Sequence, residues 1–504
     1  MQQARAFVHP AFVVAPVPRR LFGSFVEHMG RAVYTGIHEP GHPTAGEDGF
    51  RRDVLDLVRE AGVTTVRYPG GNFVSGYRWE DGVGPVADRP RRLDPAWRSV
   101  ETNEVGLNEF IQWARAAEVE PMLAVNLGTR GVQEALDLLE YANHPSGSAL
   151  SDLRREHGAV EPHDIRMWCL GNEMDGPWQL GHKTATEYGR LAAETARAMR
   201  QFDPGLELVV CGSSSRTMPT FGSWEATVLE HTYELVDHIS AHAYYQLHGD
   251  DYASFLASSA DLDRFIREVV ATADHVGARL GSDRQIDISF DEWNVWYLEE
   301  LMAARSEVGQ DWTFAPRISE EAYTVLDAVV VGSLLITLLR HADRVTAASQ
   351  AQLVNTLAMI RTEPGGPAWR QSTFHPFALT ARHGRGTVLD LRLDAPVVAT
   401  RLHGEVAVLD CVATHDAEAG LVTFFIVNRH PSDQVTLACD LRSFGQATVR
   451  DAVLLGDEDL TAANTQDAPD RVVPREHPHA EVCDGALEAL LPPASWSMVV
   501  LEVG

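Results

Sequence analysis

Two glutamates, Glu173 and Glu292, each follow a short apolar run and lie within motifs rich in aromatic residues. Glu173 comes after IRMWCLGN, and Glu292 comes after IDISFD. Hydrolysis of a glycosidic bond needs such a pair, because one carboxylic acid protonates the leaving oxygen while a second carboxylate attacks the sugar or activates water. The two groups lie about 5–5.5 Å apart in retaining enzymes and about 6.5–9.5 Å apart in inverting ones. One such glutamate alone could be a salt-bridge partner for a loop, but the two together favour catalysis.

Both glutamates belong to a long alternation of strands and helices between about residues 20 and 380. Eight short apolar runs, rich in β-branched residues, are typical of parallel strands buried on both faces. They lie at residues 21–29, 63–70, 120–128, 164–173, 205–215, 236–245, 285–294 and 344–353. Segments with helical periodicity between them are 46–62, 131–144, 184–202, 254–277 and 318–343. This order predicts the α/β class and a closed (β/α)8 TIM barrel, with a doubly wound open sheet as the alternative.

In a barrel of this kind, the working side chains lie at the carboxyl ends of the strands. All eight predicted strands have polar side chains at these ends. In chain order, these side chains are Glu27, His28, Arg67, Asn72, Asn126, Asn172, Glu173, Ser213 to Ser215, His242, Tyr244, Glu292, Asn294, Gln350 and Gln352. A lining of this composition predicts a polar, uncharged ligand that is rich in hydroxyl groups.

The pattern changes after about residue 385. Short strand-like runs such as LVTFFIVNRH and SWSMVVLEV follow one another, separated by turn residues and without a long helix between them. They predict an additional antiparallel β-sandwich that resembles a jelly roll. Because the N-terminal run RAFVHPAFVV has the same character, we expect both chain ends in one domain. The predicted divisions are residues 1–18, a strand that joins the sandwich, residues 19–382, the catalytic barrel, and residues 383–504, the C-terminal sandwich.

The charge and the cysteines narrow the classes of partner and location. A formal net charge of −29 would repel phosphate backbones and anionic membranes, so we expect neither nucleic acid nor a membrane as a partner. The start MQQARAFVHPAFVVAPVPRR lacks the apolar core of a signal peptide, and no run approaches the about 18 apolar residues of a membrane span. Five widely spaced cysteines include no CxxC pair, which disfavours disulfides and a thiolate zinc site. We therefore expect a cytoplasmic location.

We expect neither a metal nor another cofactor, because the proton donor and the nucleophile would both be side chains. The run His38-Glu39-Pro40-Gly41-His42 has the HExxH spacing of a zinc protease. That motif functions only on a helix, which Pro40 and Gly41 would break. The sequence therefore favours a loop at this position.

Two motifs carry a family resemblance. WCLGNEMDG and SFDEWNVWY resemble the acid/base and nucleophile motifs of retaining (β/α)8-barrel glycosidases. Essentially the whole chain resembles the α-L-arabinofuranosidases of glycoside hydrolase family 51, also through GSFVEHMGRAVYTGI, VRYPGGNFVSGYRWEDGVGP, WRSVETNEVGLNEF, ISAHAYY and AQLVNTLAMI. The resemblance implies release of terminal non-reducing α-L-arabinofuranosyl residues from arabino-oligosaccharides, by double displacement through a covalent glycosyl-enzyme. It also suggests a homo-oligomer, namely a hexamer.

The resemblance further implies a role for individual residues. Glu173 would be the general acid/base and Glu292 the nucleophile, with Asn172 holding the sugar 2-hydroxyl. Tyr244 would hydrogen-bond Glu292, and His242 would support Glu173. The other expected binding residues are Glu27, Arg67, Asn72 and Gln352, for the remaining hydroxyls and the carboxylate network, and Trp97 and Trp296, which would flank the furanose and the neighbouring sugar. For Trp97 and His242, packing in the core is the alternative.

Two other functions remain open at this point. A different retaining glycosidase on the same scaffold, such as a β-xylosidase or an endoglucanase, would share the two glutamates. A non-catalytic carbohydrate-binding protein would lack one of them, whereas both are present here.

Overall fold

The computed structural model describes residues 2–307 and 311–504. Its larger part is a closed barrel of eight parallel strands, which confirms the predicted fold class. Each strand pairs with its neighbour in sequence, and the last strand closes the barrel against the first. The strands are β1 Gly23–Phe25, β2 Thr65–Tyr68, β3 Glu120–Ala124, β4 Met167–Leu170, β5 Glu207–Val210, β6 His238–Tyr245, β7 Asp287–Val295 and β8 Val345–Gln350.

Helices connect the barrel strands and cover their outer faces. The α-helices are Arg52–Ala61, Leu107–Ala117, Val132–Asn143, Ala149–Glu156, Ala185–Phe202, Ser223–Thr232, Tyr252–Leu256, Ser258–Leu280, Leu298–Glu307, Val325–Arg340 and Phe374–His383. The helix Ala185–Phe202 begins where Thr184 and Glu187 each hydrogen-bond the other's backbone N–H, as in a capping box. Among the described residues, no helix combines the length and the apolar character needed to cross a bilayer.

Three of the predicted helices differ from the observed ones at their starts or in continuity. The segment predicted at 46–62 becomes helical only at Arg52, because residues 45–51 form bridges and turns. The segment predicted at 318–343 begins at Val325, where the Thr324 hydroxyl accepts a hydrogen bond from Asp327 N. The segment predicted at 254–277 is interrupted at Ala257. Turn and cap contacts, rather than apolar periodicity, determine these boundaries.

Among the described residues, six further strands form three two-stranded pairs, namely Arg92–Asp94 with Ser99–Glu101, Ile360–Thr362 with Ala368–Arg370, and Val397–Thr400 with Gly404–Ala407. The other twelve strands form a β-sandwich of two sheets. One sheet has the spatial order Arg392–Asp394, Gln2–Phe7, Val435–Asp440, Ala486–Leu491 and Ala480–Cys483. The other has the order Val13–Pro16, Thr387–Leu389, Leu409–Asp416, Leu421–Asn428, Ser495–Val503, Ala447–Leu455 and Arg475–Glu476. Pairing is antiparallel except between Gln2–Phe7 and Val435–Asp440, which run parallel. The exact domain boundaries at residues 18/19 and 382/383 stay a prediction.

The apolar helix Val325–Arg340 lies between the barrel and the sandwich, and all but its last residue are buried. A Cβ at Gly332 would lie 2.2 Å from the Trp496 ring, so the missing side chain allows a sandwich strand to pack against the helix. Beside this contact, the buried carboxylate of Asp410 hydrogen-bonds the guanidinium groups of Arg340 and Arg429. Apolar packing and one buried ion cluster therefore join the two parts.

Candidate active site

The interior of the barrel is closed beneath its carboxyl rim by small and medium apolar side chains. This layer consists of Val74, Met122, Ala124, Met167, Cys169, Val209 and Ala347. Such a layer makes the barrel a packed core rather than a pore. The polar side chains of the candidate site lie above this layer, at the ends of the strands.

Glu173, His242 and Glu292 lie together at this rim. One ligand-type atom from each, a carboxylate oxygen or a ring nitrogen, lies within 4.8 Å of the others. Glu173 follows β4, His242 lies in β6 and Glu292 lies in β7, so three strand ends converge on one point. All three side chains are at least nine-tenths buried. The carboxylate spacing is close to that of a retaining pair and short of that of an inverting pair.

Glu292 has a protein donor on each carboxylate oxygen. Arg67 Nη1 donates to Oε1 at 2.6 Å, and the Tyr244 hydroxyl donates to Oε2 at 2.7 Å. The Tyr244 ring packs edge-on against Trp296, with 4.9 Å between the ring centroids. The hydrogen bond from the guanidinium is charge-assisted, and the two donors together fix the direction of this carboxyl group.

Glu173 lies on a strained turn directly after β4. Its backbone φ of +45° is in the left-handed region, which non-glycine residues seldom adopt. Its Oε2 accepts a hydrogen bond from Trp178 Nε1 at 2.7 Å, and its Oε1 lies 2.8 Å from His242 Nδ1. The turn therefore fixes the direction of this carboxyl group, and its neighbours differ from those of Glu292.

His242 joins the two glutamates to a third carboxylate, Asp291. Burial lowers the pKa of His242, but Glu292, Asp291 and Glu173 raise it more strongly, and it reaches about 10. The protonated ring donates from Nδ1 to Glu173 and from Nε2 to Asp291 Oδ1 at 3.0 Å. Burial raises the pKa of Asp291, whereas Arg67 and His242 lower it further, so its pKa lies below the usual value. At neutral pH, His242 is thus a fixed cation beneath the site.

A β-bulge in β7 places Asp291 beside Glu292 on the same side of the strand. Between Phe290 and Trp293, β7 has three residue steps where β8 has two, and the pairing of β7 with β6 shifts at the same place. Consecutive residues of a regular strand point to opposite faces, but a bulge re-aims one of them. Both carboxylates consequently contact His242.

A second group of predicted residues surrounds the Glu27 carboxylate. Its Oε1 accepts hydrogen bonds from Phe73 N and from Trp97 Nε1, each at 2.8 Å. Its backbone N–H donates to Gln352 Oε1 at 3.1 Å, while Gln352 Nε2 lies 3.4 Å from its Oε2. Burial raises the pKa of Glu27 to about 8, with a further increase from the Glu292 charge. Glu27 is therefore largely protonated at neutral pH.

The PGGNF motif allows the loop after β2 to lie against this carboxyl group. A Cβ at Gly70 would lie 2.6 Å from Glu27 Cγ, and one at Gly71 would lie 2.6 Å from Glu27 Oε2. Gly70 also has a φ of +146°, which disfavours side chains. Glycine is needed twice here because the backbone passes over the acid.

Asn172, Asn72 and Trp296 complete the predicted set. Asn172 Oδ1 accepts a hydrogen bond from Arg67 at 2.6 Å, and its buried Nδ2 has no partner among the described residues. Asn72 lies half-buried in the PGGNF loop, and in the part of the chain that the structure describes its side chain makes no hydrogen bond. Trp296 is half-buried and donates from Nε1 to Ser319 Oγ at 2.9 Å. The structure thus brings ten of the eleven predicted residues into two linked networks, and Asn72 lies beside them. Those ten are Glu27, Arg67, Trp97, Asn172, Glu173, His242, Tyr244, Glu292, Trp296 and Gln352.

Two residues of the site were not predicted from the sequence. Asp291 precedes Glu292, and only the bulge turns it toward the barrel rim. Trp178 lies five residues after Glu173 in a loop, and 52% of its surface is exposed although its Nε1 holds the glutamate. A tryptophan close to a predicted catalytic acid was the available signal.

The same cluster has the residue types of a metal site. Glu173, His242 and Glu292 are the one group of three or more potential ligands found among the described residues. The four glutamate oxygens already face protein donors, and two of these, Arg67 and His242, carry positive charge. A divalent cation would have to displace those donors, so the donor set fits two carboxylates acting directly on a substrate better than metal ligation.

Comparisons with known proteins agree with this geometry. Two family models match the chain, the α-L-arabinofuranosidase 1 domain over residues 57–255 and the α-L-arabinofuranosidase C-terminal domain over residues 291–495. An intracellular exo-α-(1→5)-L-arabinofuranosidase of Streptomyces lividans is 60% identical over 501 residues, which cover 99% of this chain and 75% of that protein. An exo-α-(1→6)-L-arabinofuranosidase of Bifidobacterium longum is 54% identical over 510 residues, covering 99% and 97% respectively.

A solved structure extends the likeness to the whole fold. A family 51 α-L-arabinofuranosidase from Bifidobacterium longum superposes with a TM-score of 0.95 at 47% identity, covering 99% of both chains. Both domain types of the family and nearly the full length are therefore matched at high identity. The chain belongs to the α-L-arabinofuranosidases of glycoside hydrolase family 51.

Proposed function

We propose that the protein releases terminal non-reducing α-L-arabinofuranosyl residues from arabino-oligosaccharides with retention of configuration. Glu292 is the nucleophile and Glu173 is the general acid/base. The spacing of these two carboxyl groups, with oxygens within 4.8 Å of each other, is the observation that carries the proposal. It leaves room for one anomeric carbon and its leaving oxygen but none for a separate attacking water.

In the first step, Glu292 attacks the anomeric carbon while Glu173 gives its proton to the leaving oxygen. The glycosidic C–O bond breaks, a glycosyl ester forms on Glu292 and the shortened oligosaccharide leaves as an alcohol. Arg67 and Tyr244 support the assignment of Glu292, because both donate to it and fix its direction. Glu173 has no arginine partner among the described residues, which suits a group that must exchange a proton.

In the second step, Glu173 acts as the base. It takes a proton from a water molecule, whose oxygen attacks the same anomeric carbon and releases arabinose and free Glu292. His242 stays protonated beside both glutamates and offsets the negative charge that returns to Glu292.

Substrate hydroxyls are held by the polar groups around this pair. The unpartnered Nδ2 of Asn172 is available to the 2-hydroxyl next to the reacting carbon. Glu27, with Trp97 and Gln352 around it, is available to the hydroxyls on the far side of the ring, and Asn72 extends this wall. Trp296 lies on the other side, against Tyr244.

A panel of nitrophenyl glycosides tests the proposed function. The α-L-arabinofuranoside should be hydrolysed far faster than the β-D-xyloside or the β-D-glucoside, and proton NMR of the first-formed sugar should show the α-anomer. Preference for another glycoside would overturn the substrate assignment, and an inverted first product would overturn the double displacement.

The names of the relatives support a proposal for the natural substrate and the location. The Streptomyces lividans relative is named as intracellular and (1→5)-specific, and the Bifidobacterium longum relative as (1→6)-specific. We assign short (1→5)-linked oligosaccharides as the preferred substrate and the cytoplasm as the location. Initial rates on (1→5)- and (1→6)-arabinobiose decide the linkage.

A hexameric assembly, suggested by the family resemblance, is tested by light scattering at several concentrations.

A further inference from the structure

His28, the residue that follows Glu27, is buried and makes two hydrogen bonds through its ring. Its side chain is only 1% exposed, so it cannot contact a substrate. Its Nδ1 lies 2.8 Å from Glu101 Oε2, and its Nε2 lies 2.9 Å from the Tyr68 hydroxyl. Because a carboxylate only accepts hydrogen bonds, Nδ1 is the donor in the contact with Glu101. His28 thus joins the first barrel strand to a carboxyl group in another part of the chain.

The Glu101 carboxylate is a buried acceptor with three donors. Besides His28, the Tyr34 hydroxyl donates to its Oε1, and Asn103 N donates to the same oxygen at 2.6 Å. Burial raises the pKa of Glu101, but the histidine and these two donors lower it more strongly, so its pKa lies below the usual value. A buried carboxylate with this many donors has a fixed direction.

The carboxyl group that His28 holds belongs to the last residue of a short hairpin. Strands Arg92–Asp94 and Ser99–Glu101 pair antiparallel, with Trp97 in the turn between them, and form the Trp97 hairpin. From this turn, Trp97 Nε1 donates to Glu27 Oε1 at 2.8 Å. The histidine therefore fixes the base of the hairpin whose turn contacts the Glu27 carboxyl group.

His28 also contacts the PGGNF loop. Its ring stacks on the Phe73 ring, with 4.7 Å between the centroids and an angle of 23° between the planes. Phe73 N donates to Glu27 Oε1 at 2.8 Å, the oxygen that also accepts from Trp97. One oxygen thus receives an N–H from each of two separate segments. A shift of either segment would remove one donor and change the direction of the carboxyl group.

We propose that His28 is a positioning residue: through Glu101 and Phe73, it holds the Trp97 hairpin and the PGGNF loop where both donate to Glu27. The inference rests on the proposed function, in which Glu27 binds hydroxyls of the arabinose ring. It adds a buried pair that never contacts the sugar to the residues on which sugar binding depends.

His28→Phe tests this role, because phenylalanine keeps a ring that can stack on Phe73 and removes the hydrogen bond to Glu101. We expect kcat/KM for nitrophenyl α-L-arabinofuranoside to fall about tenfold. In a Glu27→Ala enzyme, the same replacement should change kcat/KM by less than about twofold, since a residue that acts only through Glu27 has no group left to position. A purely structural role would lower both values by the same factor.

Glu101→Gln is a second variant, which keeps the size of the side chain and removes the charge that accepts from His28. It should show the same dependence on the Glu27 carboxyl group. His163→Phe is the matched control, because His163 is also buried, at 7% exposed, and its Nε2 lies 2.7 Å from Asn108 Oδ1. His163 precedes β4, at the amino end of that strand, so its replacement should leave kcat/KM within about twofold of the unmodified enzyme.

An unchanged kcat/KM in His28→Phe would overturn the inference, as would an equal loss with and without the Glu27 carboxyl group. If neither His28→Phe nor Glu101→Gln gives a folded protein by circular dichroism, the pair serves the fold and the inference is wrong. An unmodified enzyme without activity on methyl and aryl arabinofuranosides would instead refute the proposed function, which is a separate outcome.

Discussion

Replacement of Trp178 by phenylalanine should lower kcat/KM about fivefold for substrates with a poor leaving group. The change keeps an aromatic ring and removes the N–H that donates to Glu173 Oε2 at 2.7 Å. A hydrogen bond to a charged group stabilises by about 1.5–3 kcal/mol. Because Trp178 is 52% exposed, water can take over part of this role, and about 1 kcal/mol remains. At about 1.36 kcal/mol per factor of ten in rate, this corresponds to a loss of about fivefold.

The direction follows from the charge that develops in the reaction. When Glu173 gives its proton to the leaving oxygen, negative charge develops on its carboxyl group, and the indole N–H stabilises that charge, so its loss slows the step. The measurement is kcat/KM for (1→5)-arabinobiose, compared with the value for nitrophenyl α-L-arabinofuranoside, whose activated leaving group needs little protonation. Trp312→Phe, at another exposed tryptophan, is the control. An unchanged value on arabinobiose, or an equal loss on both substrates, would refute the reasoning.

Three further outcomes are expected. Glu292→Ala should abolish turnover of nitrophenyl α-L-arabinofuranoside, and measurable steady-state hydrolysis would remove it from the nucleophile role. Glu173→Ala should lower kcat/KM about 10²–10⁴-fold for methyl α-L-arabinofuranoside but much less for the nitrophenyl substrate, and equal losses would contradict its role as acid. Burial raises the pKa of Asp410, but Arg340 and Arg429 outweigh burial and lower it to about 2. Asp410→Asn should therefore destabilise the fold by about 3 kcal/mol in denaturant unfolding at pH 7, while Asp164→Asn, exposed at the surface, should not. The Asp410 contribution is full above about pH 4 and is lost as the pH falls through about 2, so an unfolding free energy equal to that of the unmodified protein at pH 7 would contradict it.

The barrel strands were predictable because of where they lie. A parallel strand covered by helices on one side and by the barrel interior on the other has to be apolar along its length. Such a strand can therefore be recognised in the sequence as a continuous apolar run. Seven of the eight predicted runs contain an observed strand, and the run 285–294 overlaps Asp287–Val295 in all but its last residue. Helix starts such as Arg52 and Val325 were not predictable to the residue, because bridges and capping contacts between separated residues decide them.

The candidate site was predictable to the level of strand ends but not of side-chain directions. Asn126 lies two residues after the end of β3, near the rim as expected, yet its Oδ1 accepts hydrogen bonds from Gly128 N and Thr129 N and closes its own loop. Asp291 was missed for the opposite reason, since a regular alternation places it away from Glu292. Trp178 lies in a loop and contacts Glu173, and the conformation of this loop could not be predicted from the sequence. Residue type at a strand end indicates a rim position, and only tertiary structure decides what the side chain faces.

The extra residue in β7 constrains how this chemistry can be altered or transferred. Asp291 and Glu292 are the only residues between Phe290 and Trp293, so deleting either one to restore a regular pleat would remove the nucleophile or the histidine anchor. Substituting the two glutamates, His242 and Arg67 into another eight-stranded barrel would supply the same residue types, but their side chains would not have the same relative positions. A transplant should carry the irregular strand as a unit, together with the neighbours whose register it offsets.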